Sequence, residues 1–118
     1  MYVLLNYLDH IVGFEIFLST PDTKIYTSQI TAKLLAGRFS EFKHLIPYVK
    51  PLELKKVYDI EIKSYARGIE RINVTLIPSG HCLGSVMFLI NGSKGRVLYT
   101  GDFRFPIGYA TELVTEYK

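Results

Sequence analysis

The chain has 118 residues, of which 48% are hydrophobic and 21% are charged, and its formal net charge is +3. This composition excludes an intrinsically disordered chain, and the length allows one domain with a modest core. The mild basic excess suits a polyanionic partner but is also an ordinary surface balance. Cys82 is the single cysteine, which excludes an internal disulfide and is typical of a reducing compartment. The apolar stretches are too short for a membrane span, so we expect neither a signal peptide nor a membrane anchor.

The first half of the chain combines short apolar stretches with one clear helix signal. Residues 1–8 are apolar enough for a strand, and Lys24-Ile25-Tyr26-Thr27 predicts a second short strand. Ser28 is a good N-cap for a helix over 29–36, with Gly37 as its stop. Within that helix, one face carries Ile30, Leu34 and Leu35, which indicates ordinary core packing.

The second half is dominated by strand patterns. Residues 57–63 alternate, with Tyr58, Ile60 and Ile62 on one face, and the polar residues 64–71 predict a turn. Three further strands follow at 74–78, 85–90 and 96–101. The last two are joined by a five-residue loop, 91–95, which contains two glycines.

These elements predict one domain over 1–118 of mixed α and β structure. Short strands linked mainly by hairpins favour a mixed, mostly antiparallel sheet with short helices, and not a doubly wound sheet. Residues 104–118 have no strong period and are compatible with a frayed tail.

Two residues of this second half stand out as candidate metal ligands. Pairing outward from the 91–95 loop sets Gly84 opposite Asp102, about 10 Å or less from the segment that holds His81. A buried carboxylate needs a metal, a cation or backbone amides to satisfy it. From spacing alone, His81 is equally compatible with a structural histidine, and Asp102 with a helix cap or a turn.

Asp9 and His10 add two further donors, although this dipeptide alone is weak evidence. Together with His81 and Asp102 they form a nitrogen and oxygen donor set that suits zinc or a similar divalent ion. Such an ion would lower the pKa of a bound water and polarise a phosphoryl oxygen, which allows hydrolysis at neutral pH. We expect Cys82, next to His81, to point away as a small buried hydrophobe. The sequence contains no phosphate-binding P-loop, no G-x-S-x-G motif and no C-x-x-C pair.

At these residues the chain resembles a known family. The pattern G-H-C-x-G-S-V-M-F-L at 80–89, followed by a hairpin and by L-Y-T-G-D-F-R at 98–104, is similar to the metallo-β-lactamase-fold DNA repair nucleases. This family includes Artemis and the DNA cross-link repair exonucleases. Residues 25–35 are also similar to a strand and helix of that family, although Thr27-Ser28-Gln29 stands where the family usually has Cys-Ser-Pro. The resemblance covers roughly 9–104.

The resemblance implies a partial αββα sandwich and a role for each candidate ligand. His81 matches the third metal motif, and Asp102 matches the aspartate that bridges two metals. Asp9 and His10 match the Asp-His pair that ends an H-x-H-x-D-H motif. In the family, the first two histidines of this motif bind one metal, and the Asp-His pair serves the second metal and the attacking water. Leu5 and Tyr7 occupy the positions of the first two histidines of that motif. Leu83 stands where the family usually has proline.

The implied function is metal-dependent hydrolysis of phosphodiester bonds at DNA ends. It covers 5′-exonuclease or hairpin- and overhang-processing endonuclease activity in double-strand break repair by end joining and in interstrand cross-link repair. The resemblance also implies one or two Zn²⁺ ions, a nuclear location, and DNA ends and DNA repair proteins as partners, with no membrane.

Two alternatives to that function come from the sequence. A truncated, catalytically inactive homologue or gene fragment is the alternative favoured for the chain acting alone, because Leu5 and Tyr7 replace imidazoles. A small-molecule hydrolase of the same fold is disfavoured by residues 99–104, which fit the nucleases better. We also expect an unpaired sheet edge that exposes apolar surface.

Overall fold

The computed structural model describes residues 2–4, 24–38, 46–64, 68–80, 82–101, 104 and 107–117. Within these ranges the chain forms seven strands and two helices. In chain order they are β1 (Tyr2–Leu4), β2 (Lys24–Ser28), α1 (Gln29–Arg38), β3 (Val49–Leu52), β4 (Val57–Ser64), β5 (Gly68–Pro78), β6 (Val86–Gly92), β7 (Gly95–Tyr99) and α2 (Tyr109–Glu116).

Strands β4 to β7 form one antiparallel sheet in sequential order. The predicted inward face of β4 is confirmed, since the three residues that alternate along it all pack against the core (Tyr58, Ile60 and Ile62). The predicted turn at 64–71 is wrong in its second half. Gly68 pairs with Ser64 and Arg71 pairs with Glu61, so β5 begins at Gly68. An exposed ion pair of 2.8 Å between Arg71 Nη2 and Glu61 Oε1 accompanies this pairing.

The β6–β7 hairpin forms where it was predicted, but its register is shifted by one residue. Gly92 pairs with Gly95 and Asn91 pairs with Arg96, so Ser93 and Lys94 are the only two residues of the turn. The predicted loop over 91–95 is therefore too long. Because the register sets which residues face each other, Phe88 lies opposite Tyr99, and β7 ends there.

A second, three-stranded sheet is parallel and has the order β1–β2–β3. Helix α1 is the crossover between β2 and β3, as parallel pairing requires. The predicted N-cap is confirmed, because the Thr31 N–H donates to Ser28 Oγ at 3.2 Å. The helix runs to Arg38 and does not stop at Gly37. The core face predicted for α1 holds for Leu35, which is 3% exposed, but Ile30 is 40% exposed.

The main hydrophobic core lies between the two sheets. Tyr26 and Leu52 of the parallel sheet pack with five buried residues of the antiparallel sheet: Ile60, Val74, Leu76, Val86 and Phe88. After β3 the chain stays attached to the antiparallel sheet, since the Lys55 N–H donates to the Leu76 carbonyl at 2.8 Å. Two packed sheets with helices confirm the predicted α+β class and agree with a partial metallo-β-lactamase sandwich.

The sequence at 104–118 is compatible with a frayed tail, but the structure has a helix there, α2. Leu113 and Tyr117 of this helical region pack on a second cluster of the antiparallel sheet, which consists of Ile77, Met87 and Leu89. These residues alternate with those of the main core, so α2 covers the opposite face of that sheet. The Tyr109 hydroxyl donates to the Pro78 carbonyl at 3.2 Å, and Arg96 Nη1 donates to the Tyr117 carbonyl at 2.6 Å. In the described part of the chain, neither helix is long and apolar enough to cross a membrane.

Candidate metal centre

The four predicted ligands, Asp9, His10, His81 and Asp102, lie outside the described residues. Leu5 and Tyr7 lie outside them as well. The immediate neighbours of His81 are described on both sides, and so is Gly101, which precedes Asp102. The flanking residues therefore show how the fold arranges the backbone that carries these two ligands.

A pair of buried serines closes the segment 79–85 around His81. The hydroxyls of Ser79 and Ser85 are 2.6 Å apart, and both residues are buried. Ser85 Oγ also donates to the Cys82 carbonyl at 2.8 Å and accepts from the Cys82 N–H at 3.0 Å. The backbone joins the same ends, because the Ser79 N–H donates to the Ser85 carbonyl at 3.3 Å. The chain on both sides of His81 is thus held by hydrogen bonds within the segment.

The same segment is held from outside by the junction of β2 and α1. The Gly84 carbonyl accepts from Ser28 Oγ at 2.8 Å and from Thr31 Oγ1 at 3.1 Å. Gly84 has φ +85°, and a Cβ there would lie 2.9 Å from Thr31 Oγ1 and 3.1 Å from Ile30 Cγ2. Only glycine fits this conformation and this close approach. Ile30 lies against Gly84 at this point.

The segment that follows Asp102 also contacts the segment that precedes His81. The Arg104 N–H donates to the Ser79 carbonyl at 2.8 Å. Gly80 has φ +74°, and a Cβ there would overlap the Arg104 carbonyl oxygen. The fold therefore brings the two flanking segments together through a contact beyond the sheet, whereas the predicted pairing of Gly84 with Asp102 falls outside the described residues.

An open cavity of about 260 Å³ lies beside the segment 79–85. Apolar side chains from strands, loops and helix α1 contribute to its lining, and Cys82 is on its wall. Cys82 is exposed, so the prediction of a buried small hydrophobe is wrong. The apolar residues of the lining include Ile30, Leu52, Leu54, Leu83 and Val86.

The chemistry of the predicted donor set fits a divalent ion, because two imidazoles and two carboxylates are ordinary ligands of zinc. Among the residues that the structure describes, no three His, Cys, Asp or Glu side chains come together in a way that could hold a metal. A metal centre in this chain would therefore need ligands outside the described ranges, which is where Asp9, His10, His81 and Asp102 lie. Their role as ligands stays a prediction.

No protein-family model matches the chain. Several curated proteins, however, are similar to it over most of its length. The chain is 42% identical to protein artemis of Danio rerio over 91 residues, which are 76% of this chain and 14% of that protein. It is 42% identical to 5′ exonuclease Apollo of Mus musculus over 97 residues, 82% of this chain and 16% of that protein. Human protein artemis is 40% identical over 90 residues, 75% of this chain and 13% of that protein.

Over this segment, the chain belongs to the family of Artemis and Apollo. The resemblance to the DNA repair nucleases of the metallo-β-lactamase fold is thus confirmed. The chain spans about one seventh of the length of the curated relatives it matches, with 13% to 18% covered in each. The Artemis and Apollo relationship therefore concerns the part of those proteins that corresponds to this segment.

The sequence alone did not reveal the hydroxyls that hold the segment 79–85. No motif or periodic pattern sets Thr31 and Ser79 apart, and the N-cap signal at Ser28 does not indicate a contact with Gly84. Ser28 and Gly84 are 56 positions apart, so their bond follows only from the tertiary contact between the β2–α1 junction and the segment 79–85. The G-S pair at 84–85 in the resemblance pattern was the one signal that pointed to this place.

Proposed function

We propose that this chain contributes to the metal centre of an Artemis-like DNA repair nuclease that hydrolyses phosphodiester bonds at DNA ends. The observation that carries the proposal is the 42% identity, over 82% of this chain, to a protein named 5′ exonuclease Apollo. The Ser79–Arg104 hydrogen bond supports it, because it joins the flanks of those two motifs. A 5′ DNA end is the first substrate to test, with overhangs and hairpins as further DNA ends.

In this proposal, His81 and Asp102 bind the divalent ions, and Asp9 and His10 complete the donor set. One or two Zn²⁺ ions, when bound, would supply a water of lowered pKa and polarise the scissile phosphate. Asp9 would orient the attacking water, and Asp102 would serve as a ligand to each ion that is bound. The hydrogen bonds of the segment 79–85 would keep the His81 backbone in place. A nuclear location, with DNA repair proteins as partners, belongs to the same proposal.

The proposal competes with a catalytically inactive homologue, which Leu5 and Tyr7 favour because neither side chain can replace an imidazole at a metal. The purified chain should be incubated with Zn²⁺ and with single-stranded, overhanging and hairpin DNA labelled at the 5′ end. His81→Ala and Asp102→Ala are the test variants. His44→Ala is the control, because the basic, polar sequence around this third histidine predicts a surface residue.

The proposal expects release of 5′-terminal products by the wild-type chain and by the His44→Ala control. It expects a loss greater than the 10- to 100-fold typical of residues that only support ligands, in both His81→Ala and Asp102→Ala. Equal low hydrolysis in all four proteins would favour the inactive homologue. Hydrolysis of a chromogenic lactam without action on DNA would favour the small-molecule hydrolase.

A further inference from the structure

We infer that Ser85 is a positioning residue for His81, because its buried hydroxyl is hydrogen-bonded to the Ser79 hydroxyl before that histidine and to the Cys82 backbone after it. The inference rests on the proposed function, in which His81 is a metal ligand. Ser85 is 5% exposed and lies immediately before β6, four positions after His81. Its partners, Ser79 and Cys82, lie two positions before and one position after His81.

The Ser85 hydroxyl makes three hydrogen bonds, which occupy its single hydrogen and both of its lone pairs. A serine hydroxyl has one hydrogen to donate and two lone pairs that accept. The hydrogen goes to the Cys82 carbonyl, and one lone pair takes the Cys82 N–H. The second lone pair therefore accepts from the Ser79 hydroxyl, 2.6 Å away. Ser79 is the donor of that pair.

This full use excludes Ser85 as a nucleophile and assigns it a holding role. A nucleophile needs a free lone pair and access to the substrate, whereas the Ser85 oxygen has neither. Two further contacts limit movement of the same segment. The Gly84 carbonyl is bonded to two hydroxyls of the β2–α1 junction, and Gly80 lies directly against the Arg104 carbonyl. Ser85 links these two fixed ends across His81.

Groups that orient a metal ligand without touching the metal typically change metal affinity by 10- to 100-fold. Ser85 acts one step further out, on the backbone of the ligand and not on its ring. We therefore expect Ser85→Ala to weaken metal binding by about 10-fold, the low end of that range. Ser79→Ala removes only one of the three hydrogen bonds and should have a smaller effect in the same direction.

The test follows the imidazole resonances of the three histidines in the 118-residue chain by NMR, without metal, and then titrates Co²⁺. The variants are Ser85→Ala, Ser79→Ala and Thr75→Ala. Thr75 is a matched control, since it is 2% exposed on β5 but takes no part in the segment 79–85. We expect Ser85→Ala to move the His81 resonance and leave His10 and His44 in place, with a smaller shift in Ser79→Ala and none in Thr75→Ala.

An unchanged His81 resonance in Ser85→Ala, or an equal shift in Thr75→Ala, would overturn the inference. If Ser85→Ala does not fold, Ser79→Ala decides, and a His81 resonance identical to wild type would overturn it. The Co²⁺ titration separates this result from the proposed function. A wild-type chain that binds no Co²⁺ contradicts the metal centre, while the metal-free resonances still test the positioning role.

Discussion

The Arg104 N–H donates a 2.8 Å hydrogen bond to the carbonyl of Ser79. These two residues stand two positions after Asp102 and two positions before His81. Neither residue belongs to a strand, because β5 ends at Pro78 and β7 ends at Tyr99. One backbone bond beyond the sheet thus connects the two segments that carry the best-matched metal motifs.

Gly80 makes this contact possible, so a side chain there should separate the two segments. Gly80→Ala would place a methyl group against the Arg104 carbonyl at φ +74°. Gly68→Ala is a matched control, because its φ is +72° and nothing lies within 4 Å of the added carbon. We expect a free energy of unfolding lowered by about 1 kcal/mol in Gly68→Ala and by about 3 kcal/mol in Gly80→Ala. Equal losses in urea unfolding would show that the contact with Arg104 does not constrain Gly80.

The two hydroxyls on the Gly84 carbonyl should act non-additively. Ser28→Ala or Thr31→Val alone leaves one donor on that carbonyl, whereas the double variant leaves none. An unpaired, partly buried carbonyl costs about 1 kcal/mol or more. A double-mutant cycle in urea should therefore show a double variant about 1 kcal/mol less stable than the sum of the single losses. Strict additivity would contradict shared anchoring of Gly84.

Strand β7 is an edge with apolar side chains in solvent. Val97 is 60% exposed, Leu98 47% and Tyr99 53%, and among the described strands β7 pairs only with β6. Such an edge promotes association between chains, and a lysine on it opposes pairing. We expect Val97→Lys to reduce concentration-dependent association in light scattering while stability stays within about 0.5 kcal/mol. Val114→Lys, on a 66% exposed site of α2, is the control that should change association less.

Much of the fold could be predicted from local patterns, but the pairings could not. Alternation along β4 and the Ser28 cap are local signals, and both were confirmed. The residues 68–71 were predicted as a turn from polar composition, yet they form β5 because Arg71 lies opposite Glu61 on a neighbouring strand. The hairpin register was missed because the two glycines were placed inside a five-residue loop, whereas Gly92 and Gly95 pair with each other and flank a two-residue turn.

Docking of α2 gives a prediction about alkaline pH. The Tyr117 hydroxyl is buried and has no hydrogen-bond partner among the described residues. Burial, and then the nearby Glu116 charge, raises the pKa of Tyr117 above its ordinary value of 10.0. Stability should therefore hold below about pH 10 and fall as the pH rises through the raised value, because the unfolded chain loses the proton first.

Tyr117→Phe removes the hydroxyl and should remove that alkaline loss. Because the hydroxyl is unsatisfied, the variant should be at least as stable as wild type at pH 7, within about 1 kcal/mol. Thermal unfolding at pH 7 and at pH 10.5 measures both effects. An identical alkaline loss in Tyr117→Phe would assign it to another group.

The candidate site shows where sequence reasoning stopped. The motif residues at 80–89 and 98–104 identified the family correctly, since residue types and their spacing can be read from the sequence without knowledge of the fold. The hydroxyls of Ser79 and Ser85 were missed, because their importance lies in a 2.6 Å contact across the segment. Cys82 was expected to be buried, but the turn at this segment leaves it exposed.

The central claim is that His81 and Asp102 form part of a metal centre. The most direct test is the zinc content of the purified chain, measured by mass spectrometry after dialysis against trace zinc, for wild type, His81→Ala, Asp102→Ala and His44→Ala. The account predicts at least one zinc per chain in wild type and His44→Ala, and a clear loss in the other two variants. Less than one zinc in wild type, unchanged by His81→Ala and Asp102→Ala, would contradict it.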